Sequence, residues 1–254
     1  HMRIAIVTGA SSGLGLEFIK TLINKYKDLQ EIWVIARRKE ILVQIADKYK
    51  DVNIRPVSID LGKDKSYTEL EQILQKEKPE IQILINNAGY ERIGYFKDMD
   101  MSDIISIINV NIKGITAINR LCLPYMKKGS FGIITGSISC FSPIPNQAVY
   151  SASKEYTYYL GKALREELQK EGINILTLCP GNMDTEMNPR GSIKHSPQIN
   201  MLPFLDMKVV TERALEKAEK GKAVYTPGGF YKFYRICSKI IPSAFMVKIT
   251  KKFF

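Results

Sequence analysis

The sequence predicts an α/β fold: a single doubly wound parallel sheet of about seven strands, with helices on both faces. Three observations point there. Short apolar runs alternate with amphipathic segments of helix length, the pattern of parallel strands joined by right-handed crossovers. Gly9, Gly13 and Gly15 follow the first apolar run at once, as at a tight strand-to-helix turn. The chain has 254 residues, enough for one sizeable domain with a full core.

The elements follow in order. Residues 4–8 are the first strand. The helix after it carries Leu14, Phe18, Leu22 and Tyr26 at i, i+4 spacing, a buried stripe. Residues 31–36, EIWVIA, are the second strand, 39–50 a helix, and 53–59 a third strand. Asp60 then reads as the N-cap of the helix in KDKSYTELEQIL. IQILI is a fourth strand ending in NNAG. Residues 101–126 read as one long helix with Ile104, Ile105, Ile108, Ile112 and Ile115 inward. IITGS is a buried strand, 148–168 a long helix, and NILTL a sixth strand stopped by Pro180-Gly181. A capped helix starts at Thr211, and AVYT is the last strand.

Chemistry concentrates in residues 135–154, TGSISCFSPIPNQAVYSASK. A tyrosine hydroxyl is a poor proton carrier at neutral pH, and a cation held close favours its phenolate. Tyr150 and Lys154 are four apart, so on a helix they share a face. Ser137 sits at a strand end, where the fold could bring it to them. Tyr-x-x-x-Lys alone is a common accident of helices, and gains weight from a dinucleotide site upstream. Gly9, Gly13 and Gly15 supply one, because glycines at such a turn let backbone N–H groups approach a diphosphate.

TGxxxGxG (residues 8–15), NNAG (86–89), Asn111, Ser137 and YxxxK (150–154) stand in this order, with Ser137 thirteen residues before Tyr150 (150 − 137 = 13). In this the chain resembles the short-chain dehydrogenase/reductase family, to about residue 185. The resemblance implies a Rossmann-like sheet and an oxidoreductase interconverting a carbonyl and a secondary alcohol. It makes Asn111, Ser137, Tyr150 and Lys154 catalytic. Tyr150 is the general acid/base, Lys154 lowers its pKa, Ser137 orients the substrate oxygen, and Asn111 holds a water that extends a proton relay. A structural amide is the other reading of Asn111, and the two are compatible. The implied cofactor residues are Gly9, Ser11, Ser12, Gly13, Leu14 and Gly15 at the turn, then Asp60, Leu61, Asn87, Ala88 and Gly89 on the adenosine side. Tyr150 and Lys154 add to these, with Pro180, Gly181, Met183 and Thr185 at the nicotinamide.

The second strand ends at Ala36, where an acid would favour NAD, and Arg37 and Arg38 follow. Guanidinium forks suit a 2′-phosphate, so the reading is NADP(H), against arginines that merely solvate a helix start. Ser12 stands where NADP-preferring relatives often carry a basic residue.

Composition narrows the rest. The contents, 45% hydrophobic and 25% charged, are those of a soluble globule. No apolar run approaches the roughly 20 residues that span a bilayer. His1 reads as a tag remnant, with no basic-then-apolar leader behind it. Cys122, Cys140, Cys179 and Cys237 are widely spaced, so reduced thiols in a cytoplasm and no metal site are expected. Residues 187–207 form a long loop suited, through Met187, Met201, Leu202, Phe204 and Leu205, to cover an apolar substrate; His195 within it reads as solvated.

Net charge is +11, and residues 230–254 hold six basic residues and no acid. This 230–254 segment reads as an extension of a 2–229 domain. Phe230, Phe233, Tyr234, Cys237 and Ile241 fall on one helical face, with Lys232, Arg235 and Lys239 on another. Either the apolar face caps the pocket or packs on a second subunit, or the tail touches anionic membrane at its periphery. The family implies a homodimer or homotetramer. Two other classes are weighed: a non-catalytic NADP-sensing regulator, which predicts a missing catalytic residue, and a nucleic-acid binder, which predicts basic and aromatic residues beyond the tail.

Overall fold

The first strand sets the frame of the sheet. Ile4 and Ile6 point to one face and Ala5 and Val7 to the other, all fully buried, as a strand covered on both sides requires. The computed structural model describes residues 2–190 and 201–253. Its strands are β1 (Arg3–Thr8), β2 (Glu31–Ala36), β3 (Ile54–Ser58), β4 (Glu80–Asn86), β5 (Phe131–Thr135), β6 (Asn174–Leu178) and β7 (Val224–Tyr225). They form one seven-stranded parallel sheet in the order β3-β2-β1-β4-β5-β6-β7. The order reverses between β1 and β4, and a crevice opens there at the carboxyl ends.

Helices cover both faces. On one, α1 (Gly13–Lys25) brings Phe18 and Leu22 against Val7, Ile83 and Ile133. On the other, α2 (Lys39–Lys48) aside, α3 (Lys65–Glu77) and α5 (Ile115–Cys122) place Leu70, Leu74, Ile115 and Ile118 against Ile6, Trp33 and Leu84. α6 (Ala148–Leu168) runs against β5 and β6. α7 (Met207–Glu219) packs on α1, where the Thr21 and Thr211 hydroxyls meet at 2.8 Å.

Several expectations fail locally. Residues 101–126 are α4 (Met101–Ile108), a π-helical turn (Asn109–Gly114), α5 and a 3₁₀ turn (Leu123–Tyr125). Ile104, Ile107, Ile115 and Ile118 are buried, while Ile105 and Ile108, expected inward, face outward and Ile112 is half-buried. The tract Met101–Tyr125 is also long and apolar enough to cross a bilayer on length and composition alone, contrary to expectation; here it packs against α3, α6 and the sheet. Asp60 is no N-cap. α3 starts after Asp64, and the Asp60 carboxylate closes its own turn by accepting from the Gly62 N–H at 3.0 Å. α7 begins at Met207, not Thr211, because Asp206 caps it by accepting from the Lys208 and Val209 N–H groups.

The tail forms α8 (Gly229–Ile240) and α9 (Ser243–Phe253). Of the face expected to cap the pocket, Phe230 and Phe233 are exposed while Tyr234, Cys237 and Ile241 are half-buried, and α8 is seated on fully buried Tyr231. His195 and the rest of residues 191–200 of the expected substrate loop lie outside the described residues.

Candidate active site

The carboxyl ends of β1, β4, β5 and β6 line a cavity of about 870 Å³. At its floor Thr8 ends β1, and its hydroxyl accepts from the N–H groups of Asn87 and Ala88, both at 2.9 Å. The Asn87 side chain donates to the Thr8 carbonyl (3.3 Å) and accepts from the Thr135 hydroxyl (3.1 Å). One amide thus ties the ends of β1, β4 and β5 together. Gly9 (φ 64°) and Gly13 (φ 53°) are left-handed, and a Cβ on Gly13 would close to 3.4 Å on Thr185 across the cleft. Gly15 does not reach the cavity: a Cβ there would sit 2.1 Å from the Gly9 carbonyl, so this glycine seats α1 against the turn.

At one end the α1 N-terminus, Arg37, Arg38 and Asp60 line the cavity. Arg38 donates to the Ser11 hydroxyl and to Glu186, both at 3.0 Å, bridging the cleft mouth on its exposed rim. At the other end stand Ser137, Tyr150 and Lys154. Ser137 extends from β5, and its hydroxyl accepts from the Ser139 N–H at 3.1 Å. Tyr150 lies in the first turn of α6. Lys154, one turn on, is 97% buried; its ammonium donates to the Thr135 carbonyl at 3.2 Å and lies 5.5 Å from the Tyr150 ring centre.

The electrostatics correct one expectation. Burial pushes the Tyr150 phenol far above its ordinary range, Glu91 adds to this, and a hydrogen bond with Ser137 opposes it. Lys154 is not among the groups that bring the phenol down, and burial brings its own ammonium down to about 8. The protein groups alone therefore keep Tyr150 protonated.

Asn111 is fully buried beneath the site. Its Oδ1 accepts from the Tyr90 N–H (2.8 Å), and its Nδ2 donates to the Tyr90 carbonyl (2.9 Å) and the Ser153 hydroxyl (3.0 Å). It therefore pins the backbone after NNAG to α6, and it does not line the cavity. Gly89 lies between them: a Cβ there would make ordinary contact with the Lys154 Nζ at 3.5 Å and Asn111 Oδ1 at 3.6 Å.

A family model for short chain dehydrogenases matches residues 3–195. The chain belongs to the short-chain dehydrogenase family. An uncharacterized oxidoreductase of Staphylococcus aureus strain USA300 is 32% identical over 202 residues, 77% of this chain and 86% of that protein. A short-chain dehydrogenase of Sphingobium yanoikuyae, solved with NADPH, superposes with a TM-score of 0.78 at 22% identity, covering 96% of this chain and 95% of its own. A 3-ketoacyl-(acyl-carrier-protein) reductase of Brucella melitensis, solved with NADH, gives 0.75 at 23% identity, covering 88% and 96%.

In this short-chain dehydrogenase the remaining residues named from sequence, Ser12, Leu14, Leu61, Ala88, Pro180, Gly181 and Met183, line the same cavity. The lining groups suit a phosphorylated dinucleotide: left-handed glycines under a helix N-terminus at one end, arginines at its rim, and a buried ammonium at the other. Sequence reasoning missed Glu91 and Gln147. Gln147 is buried in the wall just before α6. Glu91 is half-buried beside Tyr150 and Lys154; desolvation, partly opposed by the Lys154 ammonium, brings its carboxyl up to about 7. A carboxylate two residues past NNAG, where the chain leaves the sheet, was the available signal.

Proposed function

We propose that this protein is an NADP(H)-dependent oxidoreductase that interconverts a carbonyl and a secondary alcohol on an apolar small molecule, with Tyr150 as general acid/base. One observation carries the reading. Ser137, Tyr150 and Lys154 line one end of the cavity whose other end holds the glycine turn and two arginines. Gly9, Gly13 and the α1 N-terminus would hold the diphosphate, and Arg37 and Arg38 the 2′-phosphate. Asp60, Leu61, Asn87 and Ala88 would flank the adenosine, and Pro180, Gly181, Met183 and Thr185 the nicotinamide.

When bound, the dinucleotide supplies the hydride and, oxidised, a positive charge. The chain's own groups handle position and protons. The Ser137 hydroxyl holds the substrate oxygen and stabilises its developing charge. The Tyr150 phenol, kept protonated by its surroundings, gives its proton to that oxygen in reduction and recovers it in oxidation. Lys154 would hold a ribose hydroxyl and, through it, return the proton to Tyr150. Ile138 and Met187 offer apolar surface around this end.

All four expected catalytic residues are present, which favours an enzyme over a silent sensor. The basic surplus sits in the tail rather than along the cleft, which disfavours nucleic acid. Exposed Met101, Ile105, Ile108, Tyr156 and Tyr159 on α4 and α6 favour a homodimer or homotetramer, and the free cysteines a cytoplasmic setting. A screen of ketones and secondary alcohols followed by NADPH absorbance, with NADPH and NADH affinities measured side by side, tests the reading. Turnover of a ketone with tighter NADPH binding supports it. Tighter NADH binding overturns the cofactor, and no turnover across the panel overturns the activity.

A further inference from the structure

The tail helices bury the less apolar of their faces. On α8, Tyr231 is fully buried: its hydroxyl donates to the Pro203 carbonyl at 2.5 Å and accepts from the Asn182 N–H at 3.1 Å. Its ring fills the space that a Cβ on Gly181 would occupy. Arg235 lies over the Phe141 ring, 5.6 Å from its centre. On α9, Met246 and Thr250 are buried, and the Thr250 hydroxyl donates to the Pro143 carbonyl at 3.0 Å. Both helices are therefore seated on the body by one side.

The other side is apolar. Phe233, Ile236 and Ile240 are 65%, 55% and 76% exposed, at the i, i+3, i+7 spacing of one stripe on α8. Phe245 and Ile249 are 60% and 41% exposed at i, i+4 on α9. Exposed Lys232, Lys239, Lys248, Lys251 and Lys252 stand on the same two helices, and residues 230–254 contain no acid. A helix ordinarily turns such a stripe inward, so this one is unpartnered.

We infer that α8 and α9 form a platform that docks on an anionic lipid surface, with the apolar stripe entering the interface and the lysines meeting the headgroups. Charge selects this occupant. A second copy meeting the first through the same face would oppose five exposed lysines to five. An anionic bilayer instead satisfies both the lysines and the apolar side chains. The contacts of α8 and α9 with Phe141, Pro143 and Asn182 put the platform beside loops that border the cleft. The inference does not depend on the reaction.

The test is flotation of the full chain with vesicles of phosphatidylcholine alone and of phosphatidylcholine mixed with phosphatidylglycerol. The full chain floats with the anionic vesicles, barely with the neutral ones, and less as salt rises. Phe233→Ser/Ile236→Ser/Ile240→Ser lowers anionic-vesicle partitioning about ten-fold or more, and Lys232→Glu/Lys239→Glu does the same. Each variant keeps its circular dichroism spectrum, its melting temperature and its affinity for NADPH, since none of these side chains is buried. No flotation of the full chain, or equal flotation with both vesicle types, overturns the inference. So does a dimer by light scattering that the triple Ser variant converts to monomer while no vesicle binding is seen.

Discussion

α6 and α8 break the usual rule of helix patterning in opposite directions. α6 buries Tyr150, Ser151, Ser153, Lys154 and Thr157. α8 leaves Phe233, Ile236 and Ile240 in solvent. The first departure costs desolvation of a cation and several hydroxyls. It is offset by hydrogen bonds: Lys154 to the Thr135 carbonyl, Ser153 to the Tyr150 carbonyl at 2.7 Å, Thr157 to the Ser153 carbonyl at 3.0 Å. The second departure forgoes burial worth about 1.5–3 kcal/mol per side chain. Neither is what folding alone would select. Places where local pattern and fold disagree are where binding or chemistry has set the residue.

The comparison is broken most easily with one residue type on both helices. Lys154→Ala on α6 lowers kcat for ketone reduction on the order of 10³-fold, while Lys232→Ala on α8 stays within about two-fold in the same assay. Equal effects would mean that burial does not distinguish them. A smaller effect sharpens the cofactor end: Arg37→Ala weakens NADPH about ten-fold by fluorescence titration and leaves NADH unchanged, because one charge-assisted contact to a phosphate is lost. The smallest effect tests the electrostatics of α6. Ionised Glu91 raises the Tyr150 pKa, so Glu91→Gln lowers it. Glu91 titrates near 7, so the difference appears above that pH and fades below it. Alcohol oxidation, which needs the phenolate, rises about three-fold at pH 8 in the variant, and its pH profile moves to lower pH.

Much of this was legible in the chain. β2 runs over the six residues EIWVIA and α6 over the twenty-one from Ala148, because runs of one period with clear breakers leave little choice. The cleft was legible for a different reason: its glycines and catalytic side chains sit at strand ends, which topology must gather. What escaped depended on tertiary detail. The π-helical turn at 109–114 has no local signature. Asp206 displaced Thr211 as a cap because both are good caps and only packing on α1 chose between them. The buried face of α8 follows from Tyr231 filling the space above Gly181, a contact across fifty residues that periodicity cannot reveal. Tyr150 carried the subtlest miss: proximity of Lys154 in sequence suggested an acidic phenol, and burial of both groups reverses that in the protein alone.

The most direct measurement compares Tyr150→Phe with the unaltered chain, reading steady-state NADPH consumption with an active ketone and NADPH affinity on the same samples. The account predicts a loss of turnover of about 10³-fold or more with an affinity within about three-fold. Turnover retained within ten-fold, with the cofactor bound as before, would contradict it.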